Sequence, residues 1–244
     1  MTKKVVIMQA RMGSTRLPGK VLKTLHGKSV LAHGIERCLA MKHADVVVIA
    51  TTDGPEDDLI VQEAERLGVP CFRGSERDVL SRYYGAARAH GADVVIRVTS
   101  DCPLLDHAVA DDVVERFLAG VSYDYLSNTL ERSFPRGLDT EVFTMEALAT
   151  TMQEAEQEFE REHVTPFLYR NSERFHVGSY AWSQDLSRYR WTLDTQEDWE
   201  LISAVYDRLY EGKLFGWREV LALMEREPEL TAINAHVEQK KLGE

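Results

Sequence analysis

Through the first half of the chain, short apolar runs alternate with amphipathic stretches of helical period. Residues 5–9, 46–50 and 94–98 are almost wholly apolar and rich in β-branched side chains, which predicts buried strands. A shorter run of the same kind covers 70–72. Between these runs, Ser29 is placed to cap a helix carrying Leu31, Ile35 and Leu39 on one face. Residues 55–67 put Leu59, Ile60, Ala64 and Leu67 on one side. Ser75-Glu76-Arg77-Asp78 has capping-box spacing ahead of another helix, and Asp106 opens one that carries Val109, Val113, Val114 and Phe117. Strands alternating with helices of this length predict crossover units and a parallel sheet. Such a sheet gathers its ligand-binding loops at the carboxyl ends of its strands.

The second half is less regular. Strands are predicted at 123–127, 138–144, 176–182 and 189–193, with helical stretches near 145–151 and 160–169. Thr195-Gln196-Glu197-Asp198 repeats the capping-box pattern before a helix with Leu201, Ile202, Val205 and Leu209 on one face. A break follows at 212–216, then a last helix at 217–226 and a frayed polar tail at 235–244. No repeat, low-complexity segment or Pro/Gly-rich linker divides the chain. With 244 residues, 44% of them hydrophobic, the expectation is one α/β domain bearing an inserted or appended antiparallel portion.

Composition narrows the function classes. No apolar run is long enough to span a membrane or to serve as a signal peptide. Cys38, Cys71 and Cys102 lie far apart without a CxxC pair, which argues against a disulfide framework or a zinc site and for a reduced, cytoplasmic setting. The net charge of −11 argues against general nucleic-acid binding. Its distribution is uneven. The first 37 residues hold eight Lys/Arg and one acid, a local +7, while the remainder carries −18. A basic segment on an acidic protein is either a solvated face or a seat for a small anion.

That segment culminates in ARMGSTRLPGKVL (10–22), directly after the first predicted strand. Arg11, Arg16 and Lys20 fall within ten residues without an acid, and Gly13, Ser14, Thr15 and Gly19 leave backbone N–H groups accessible. Backbone donors and cations together suit a polyphosphate. The loop is neither a Walker A sequence, since five residues separate Gly13 from Gly19 and Val21 follows the lysine, nor a GxGxxG fingerprint. Downstream, Asp101 lies just past a strand, where a carboxylate can hold a divalent cation beside phosphates. Asp194 precedes the Thr195 cap and by itself reads as a helix-start residue.

The RxGSTRLPGK pattern resembles the signature of the nucleotide-sugar cytidylyltransferases, which include the 3-deoxy-manno-octulosonate and acylneuraminate enzymes. FRGSERDVLSRY (72–83), VTSDCPLLD (98–106) and RWTLDTQEDWELI (190–202) fit the spore-coat polysaccharide biosynthesis branch of that family, in family order. The resemblance implies a three-layer, mostly parallel sheet flanked by helices, like that of the nucleotide-diphospho-sugar transferases. It implies a nucleotide-binding half over 1–120, a sugar-binding and dimerisation portion over 121–185, and a metal-binding C-terminal part over 186–244. It assigns Mg²⁺ to Asp101 and Asp194, and the nucleotide to Ala10, Arg11, Gly13, Ser14, Thr15, Arg16, Lys20 and Asp101. The loop at 72–83 borders base and ribose in that reading, with Arg73, Ser75 and Arg82 as contacts; the alternative is that Ser75 and Asp78 are capping partners only.

Residues 128–142 and 162–165 are expected to face the second substrate. There Arg136 could pair with a sugar carboxylate while Asn128, Asp139 and Glu141 accept sugar hydroxyls. Asp139 and Glu141 fit a solvated strand edge equally well, and His163 reads as a core histidine. The expected reaction joins CTP to an acidic keto-sugar, giving a CMP-sugar and pyrophosphate, with Arg11, Lys20 and Asp101 central to catalysis. Kinship also implies a homodimer active on a surface-glycan precursor. Another NTP with a sugar phosphate, a nucleotide-sugar-dependent glycosyltransferase and a non-catalytic nucleotide-binding regulator are the alternatives. The glycosyltransferase is disfavoured because no two aspartates stand two positions apart to form a DxD motif. Cys102 has no orienting His in sequence, so a covalent thiol route is not expected.

Overall fold

A computed structural model describes residues 2–239. Its strands are β1 (Lys4–Gln9), β2 (Thr24–Leu25), β3 (Lys28–Ser29), β4 (Val46–Thr52), β5 (Cys71–Gly74), β6 (Val94–Thr99), β7 (Tyr125–Ser127), β8 (Glu141–Thr144) and β9 (Val177–Ser179). The helices are α1 (Val30–Leu39), α2 (Asp58–Arg66), α3 (Val79–Ala89), α4 (His107–Leu118), α5 (Met145–Glu154), α6 (Glu158–His163), α7 (Pro166–Arg170), α8 (Gln196–Leu209), α9 (Trp217–Arg226) and α10 (Glu229–Ala232).

Seven strands form one sheet in the order β5-β4-β1-β6-β8-β7-β9. The first four are mutually parallel; β8 alone runs against its neighbours, and β9 lies parallel to β7. The antiparallel portion expected in the second half is therefore one reversed strand inside the main sheet. The pair β2–β3 forms a separate antiparallel hairpin. Both faces are covered. Val6, Met8 and Ile96 pack with Leu31 and Ile35 of α1, while Val5, Ile7 and Val95 pack with Leu80 and Tyr83 of α3. Burial on both sides is why these strands read as unbroken apolar runs. A third cluster, around Trp191, Ile202, Tyr206 and Leu223, seats α8 and α9 beside the sheet.

Several caps are where the sequence places them. Ser29 Oγ accepts from Ala32 N, Asp106 Oδ1 from Val109 N, and Thr195 Oγ1 from Asp198 N. Other expectations are corrected. The cap of α3 is Asp78, which accepts from Ser81 N, because Ser75 instead receives Asp78 N one turn earlier. Leu39 and Leu59 continue their helical stripes beyond the covered area and stand 55% and 51% exposed. The helix expected at 160–169 is broken at Val164 into α6 and α7, and β8 starts at Glu141, because Pro135–Asp139 wraps against Trp191 instead of pairing as strand. Residues 189–193 make only one bridge, Arg136 with Arg190. The expected fraying from 235 does not begin there: Gln239 is bonded to Arg190, and 240–244 lie outside the described residues.

Candidate active site

A cleft of about 1450 Å³ opens at the carboxyl ends of β1 and β6, whose last residues, Gln9 and Thr99, are register partners on its floor. The chain leaves β1 as the loop 10–19. Met12 carbonyl accepts from the amides of Ser14 and Gly19, Ser14 Oγ accepts from Leu17 N, and Asp57 receives Met12 N at 2.7 Å. Gly19 has φ 65°, a left-handed conformation a side chain would strain, and this turn aims Lys20 back into the cleft. The amides of Arg11, Gly13, Thr15 and Arg16 donate to no acceptor among the described residues. The loop thus offers backbone donors and cations together.

Lys20 joins the two aspartates. Its Nζ donates to Asp101 Oδ2 at 2.9 Å, Asp194 Oδ1 at 2.8 Å and the Leu193 carbonyl at 2.8 Å. Thr99 Oγ1 donates to Asp101 Oδ1 at 2.6 Å, and Leu193 N donates to the Asp101 carbonyl at 2.8 Å, stitching the two loops together. Burial alone would push the Asp101 carboxyl up; the Lys20 charge, reinforced by hydrogen bonds from Lys20 and Thr99, outweighs it and holds the group at about 2. Burial works against the charged Lys20 in the same way, yet the two carboxylates raise it above its ordinary value. Three hard oxygens around one cationic nitrogen form a donor set suited to a cation. No group of three or more His, Cys, Asp or Glu that could hold a metal occurs among the described residues, so a metal here would need oxygens from substrate and water.

The cleft is also lined by Arg136, Gly137, Asp139 and, from α6 and its approach, Gln157, Phe159, Glu162 and His163. Arg132 grips Asp139 with two bonds of 2.7 and 2.8 Å. The Arg136 side chain has no acceptor among the described residues; burial, then the neighbouring Arg132, lowers its affinity for its proton. Gly137 has φ 107°, and a Cβ there would lie 2.6 Å from the Trp191 carbonyl oxygen. Val164 ends α6 at φ 73°, ψ −55°, with Thr165 N donating back to the His163 carbonyl at 2.9 Å. This tight γ-turn is strained for a β-branched residue. It presents His163 to the cleft and Thr165 to Glu141.

The expected residues divide into two groups. Ala10, Arg11, Gly13, Ser14, Thr15, Arg16, Lys20, Arg82, Asp101, Arg136, Asp139 and Asp194 line the cleft. Arg73, Ser75, Asn128 and Glu141 do not line it. Arg73 binds the Thr52 and Gly54 carbonyls and Asp58, and Ser75 Oγ is taken by Asp78 N. Asn128 braces the 138–140 turn. Glu141 is paired with Arg97 and accepts from Tyr125 at 2.6 Å and Thr165 at 2.7 Å. The solvated strand edge weighed for Glu141 is thus corrected to a buried ion pair. His163 is likewise on the wall and not in the core. Cys102 also lines the cleft, but burial pushes its thiol well above its usual range, which opposes thiolate chemistry. Gln9 and Thr99 escaped the sequence reading, although terminal strand positions were a usable signal. Gln157 and Phe159 had none.

Residues 5–230 match the family model described as cytidylyltransferase. The chain is 34% identical over 233 residues to the spore coat polysaccharide biosynthesis protein SpsF of Bacillus subtilis, covering 91% of this chain and 94% of that protein. It is 28% identical over 199 residues to a 3-deoxy-manno-octulosonate cytidylyltransferase of Chlamydia trachomatis, covering 77% and 74%. A solved cytidylyltransferase from Leptospira borgpetersenii superposes with a TM-score of 0.91 at 33% identity, covering 99% of this chain and all of that one. The chain belongs to the cytidylyltransferase family and is a nucleotidyltransferase.

Proposed function

We propose that this member of the cytidylyltransferase family couples CTP to the anomeric hydroxyl of an acidic keto-sugar, releasing pyrophosphate, with Mg²⁺ as its cation. The single observation that carries the reading is the convergence of Asp101 and Asp194 on Lys20 Nζ, beside a loop of open amides. The octulosonate enzyme among the relatives supplies the substrate class, and Arg136, which lines the cleft with no acceptor among the described residues, supplies a partner for the sugar carboxylate.

In this mechanism the amides of the loop, with Arg11, Arg16 and Lys20, bind the triphosphate and neutralise charge on the departing pyrophosphate. Asp101 and Asp194 would hold the cation, which when bound offsets phosphate charge and favours ionisation of the attacking hydroxyl. Lys20 then exchanges its carboxylate partners for phosphate oxygens. Arg136 orients the sugar so that its hydroxyl faces the α-phosphorus in line with the leaving group. One P–O bond forms as another breaks, and the hydroxyl proton passes to water. Catalysis is positioning and charge stabilisation, with no covalent enzyme intermediate.

The test is pyrophosphate release with Mg²⁺, four NTPs and a panel of sugar acids, neutral sugars and sugar phosphates. CTP with a ulosonic or nonulosonic acid is the expected active pair. Arg136→Met should raise KM for that acid by about tenfold or more while leaving CTP affinity unchanged. Turnover confined to a neutral sugar phosphate would overturn the substrate assignment.

A further inference from the structure

The acid that closes the capping box of α8 does more than start a helix. Asp198 is fully buried and accepts five hydrogen bonds. Its Oδ1 receives Arg190 Nε at 2.9 Å and Asn234 Nδ2 at 2.8 Å. Its Oδ2 receives Arg190 at 2.9 Å, Asp194 N at 2.8 Å and Thr195 N at 3.1 Å. A helix cap needs only the link to Thr195. Of the other four, three lead to Asp194 or to the arginine that touches it, and the fourth comes from Asn234.

Arg190 completes the connection. It meets Asp198 side-on with two parallel bonds, and a further bond runs from its terminal nitrogen to Asp194 Oδ2 at 2.9 Å. Its remaining nitrogen donates to Gln239 at 2.6 Å. Asp194 is therefore held twice from the same buried acid, through its own backbone amide and through a guanidinium that Asp198 has fixed. The arrangement also divides charge. Lys20, Arg16 and Arg190 all contact Asp194. Asp198 absorbs much of the Arg190 charge, leaving the Asp194 Oδ1 edge directed at Asp101 and Lys20.

We propose that Asp198 is the positioning residue for Asp194, fixing the orientation of that carboxylate and sparing its charge for a divalent cation. The inference rests on the reading that Asp101 and Asp194 hold the cation. In Asp198→Asn one donor amide must face either the guanidinium or the backbone N–H groups, so the side-on pairing fails and Arg190 turns its full charge onto Asp194.

The test is Mn²⁺ binding followed by electron paramagnetic resonance in the presence of CTP, beside CTP binding in metal-free buffer. Asp198→Asn should weaken Mn²⁺ binding by about 10- to 100-fold, the usual effect of removing a group that orients a metal ligand, while metal-free CTP affinity stays within about twofold. Thr195→Ala, which removes the helix cap alone, should lower Tm without moving Mn²⁺ affinity. If Asp198→Asn fails to fold, Asn234→Ala loosens the same carboxylate and should shift Mn²⁺ affinity in the same direction by a smaller factor. Unchanged Mn²⁺ affinity in the folded Asp198 or Asn234 variant, with Asp101→Asn and Asp194→Asn abolishing binding, would overturn this inference alone. Intact Mn²⁺ binding in the Asp101 and Asp194 variants would overturn the underlying metal reading as well.

Discussion

Lys20 and Asp101, 81 positions apart in the chain, form an ion pair of 2.9 Å whose ammonium is shared with Asp194. A single cation from the loop after β1 thus ties together two acids from distant segments. The ammonium balances charge on both carboxylates, and Arg16 and Arg190 add to it at Asp194.

Replacing Lys20 by Met should separate two effects. Turnover should fall by about 10²–10³, because a cation facing the triphosphate is lost. Nucleotide-free Mn²⁺ affinity should rise, because the ammonium no longer competes for the two carboxylates. Calorimetric titration of both proteins with Mn²⁺ reads the second effect, and weaker binding by the variant would contradict it.

Asp101 also makes acid stability predictable in sign. Its carboxyl is held at about 2 in the folded protein, below the ordinary value near 3.9, so its contribution is present above about pH 4 and is lost as pH falls toward 2. Thermal unfolding of Asp101→Asn should depend less steeply on pH across that window than the parent. Identical slopes would mean that the ion pair with Lys20 does not form in solution.

Arg97 and Glu141 are register partners on β6 and β8, where the sheet changes direction, and they are paired in the interior. Arg97→Met strands a buried carboxylate, which should cost about 3–5 kcal/mol. Urea unfolding should show this as a lower midpoint; a loss below about 1 kcal/mol would place the pair among the dispensable ones.

Gly137 is predicted to tolerate no side chain. Its φ of 107° and the 2.6 Å approach to the Trp191 carbonyl oxygen mean that Gly137→Ala must move the backbone beside Arg136. A stability loss of at least about 1–3 kcal/mol should follow, together with weaker binding of the acidic sugar. Wild-type Tm and KM in this variant would show that the loop can shift freely.

The sequence was most legible where one local rule acted. Buried parallel strands wrote themselves as apolar runs, Ser29, Asp106 and Thr195 announced helix starts, and adjacent cations and small residues marked the loop at 10–20, which lines the cleft. Resemblance named both aspartates. The expectation that Asn128 and Glu141 contact the sugar rested on residue type, which does not tell a residue lining the cleft from one bonded elsewhere.

What the sequence by itself determined, then, was the layered α/β order, the cation-rich, small-residue composition of the loop after β1 and the family. Only the tertiary structure decided that Asp101 and Asp194 share one ammonium, that Glu141 turns inward to Arg97, that Val164 breaks a helix to expose His163, and that the capping acid Asp198 also bonds Asp194 and Arg190. The physical reason is range. Periodicity, capping and turn preferences act over a few residues, whereas Lys20 reaches 81 and 174 positions to its two acids and Arg97 reaches 44 to Glu141, and even the short links at Val164 and Asp198 depend on which neighbour a side chain meets after the sheet has formed.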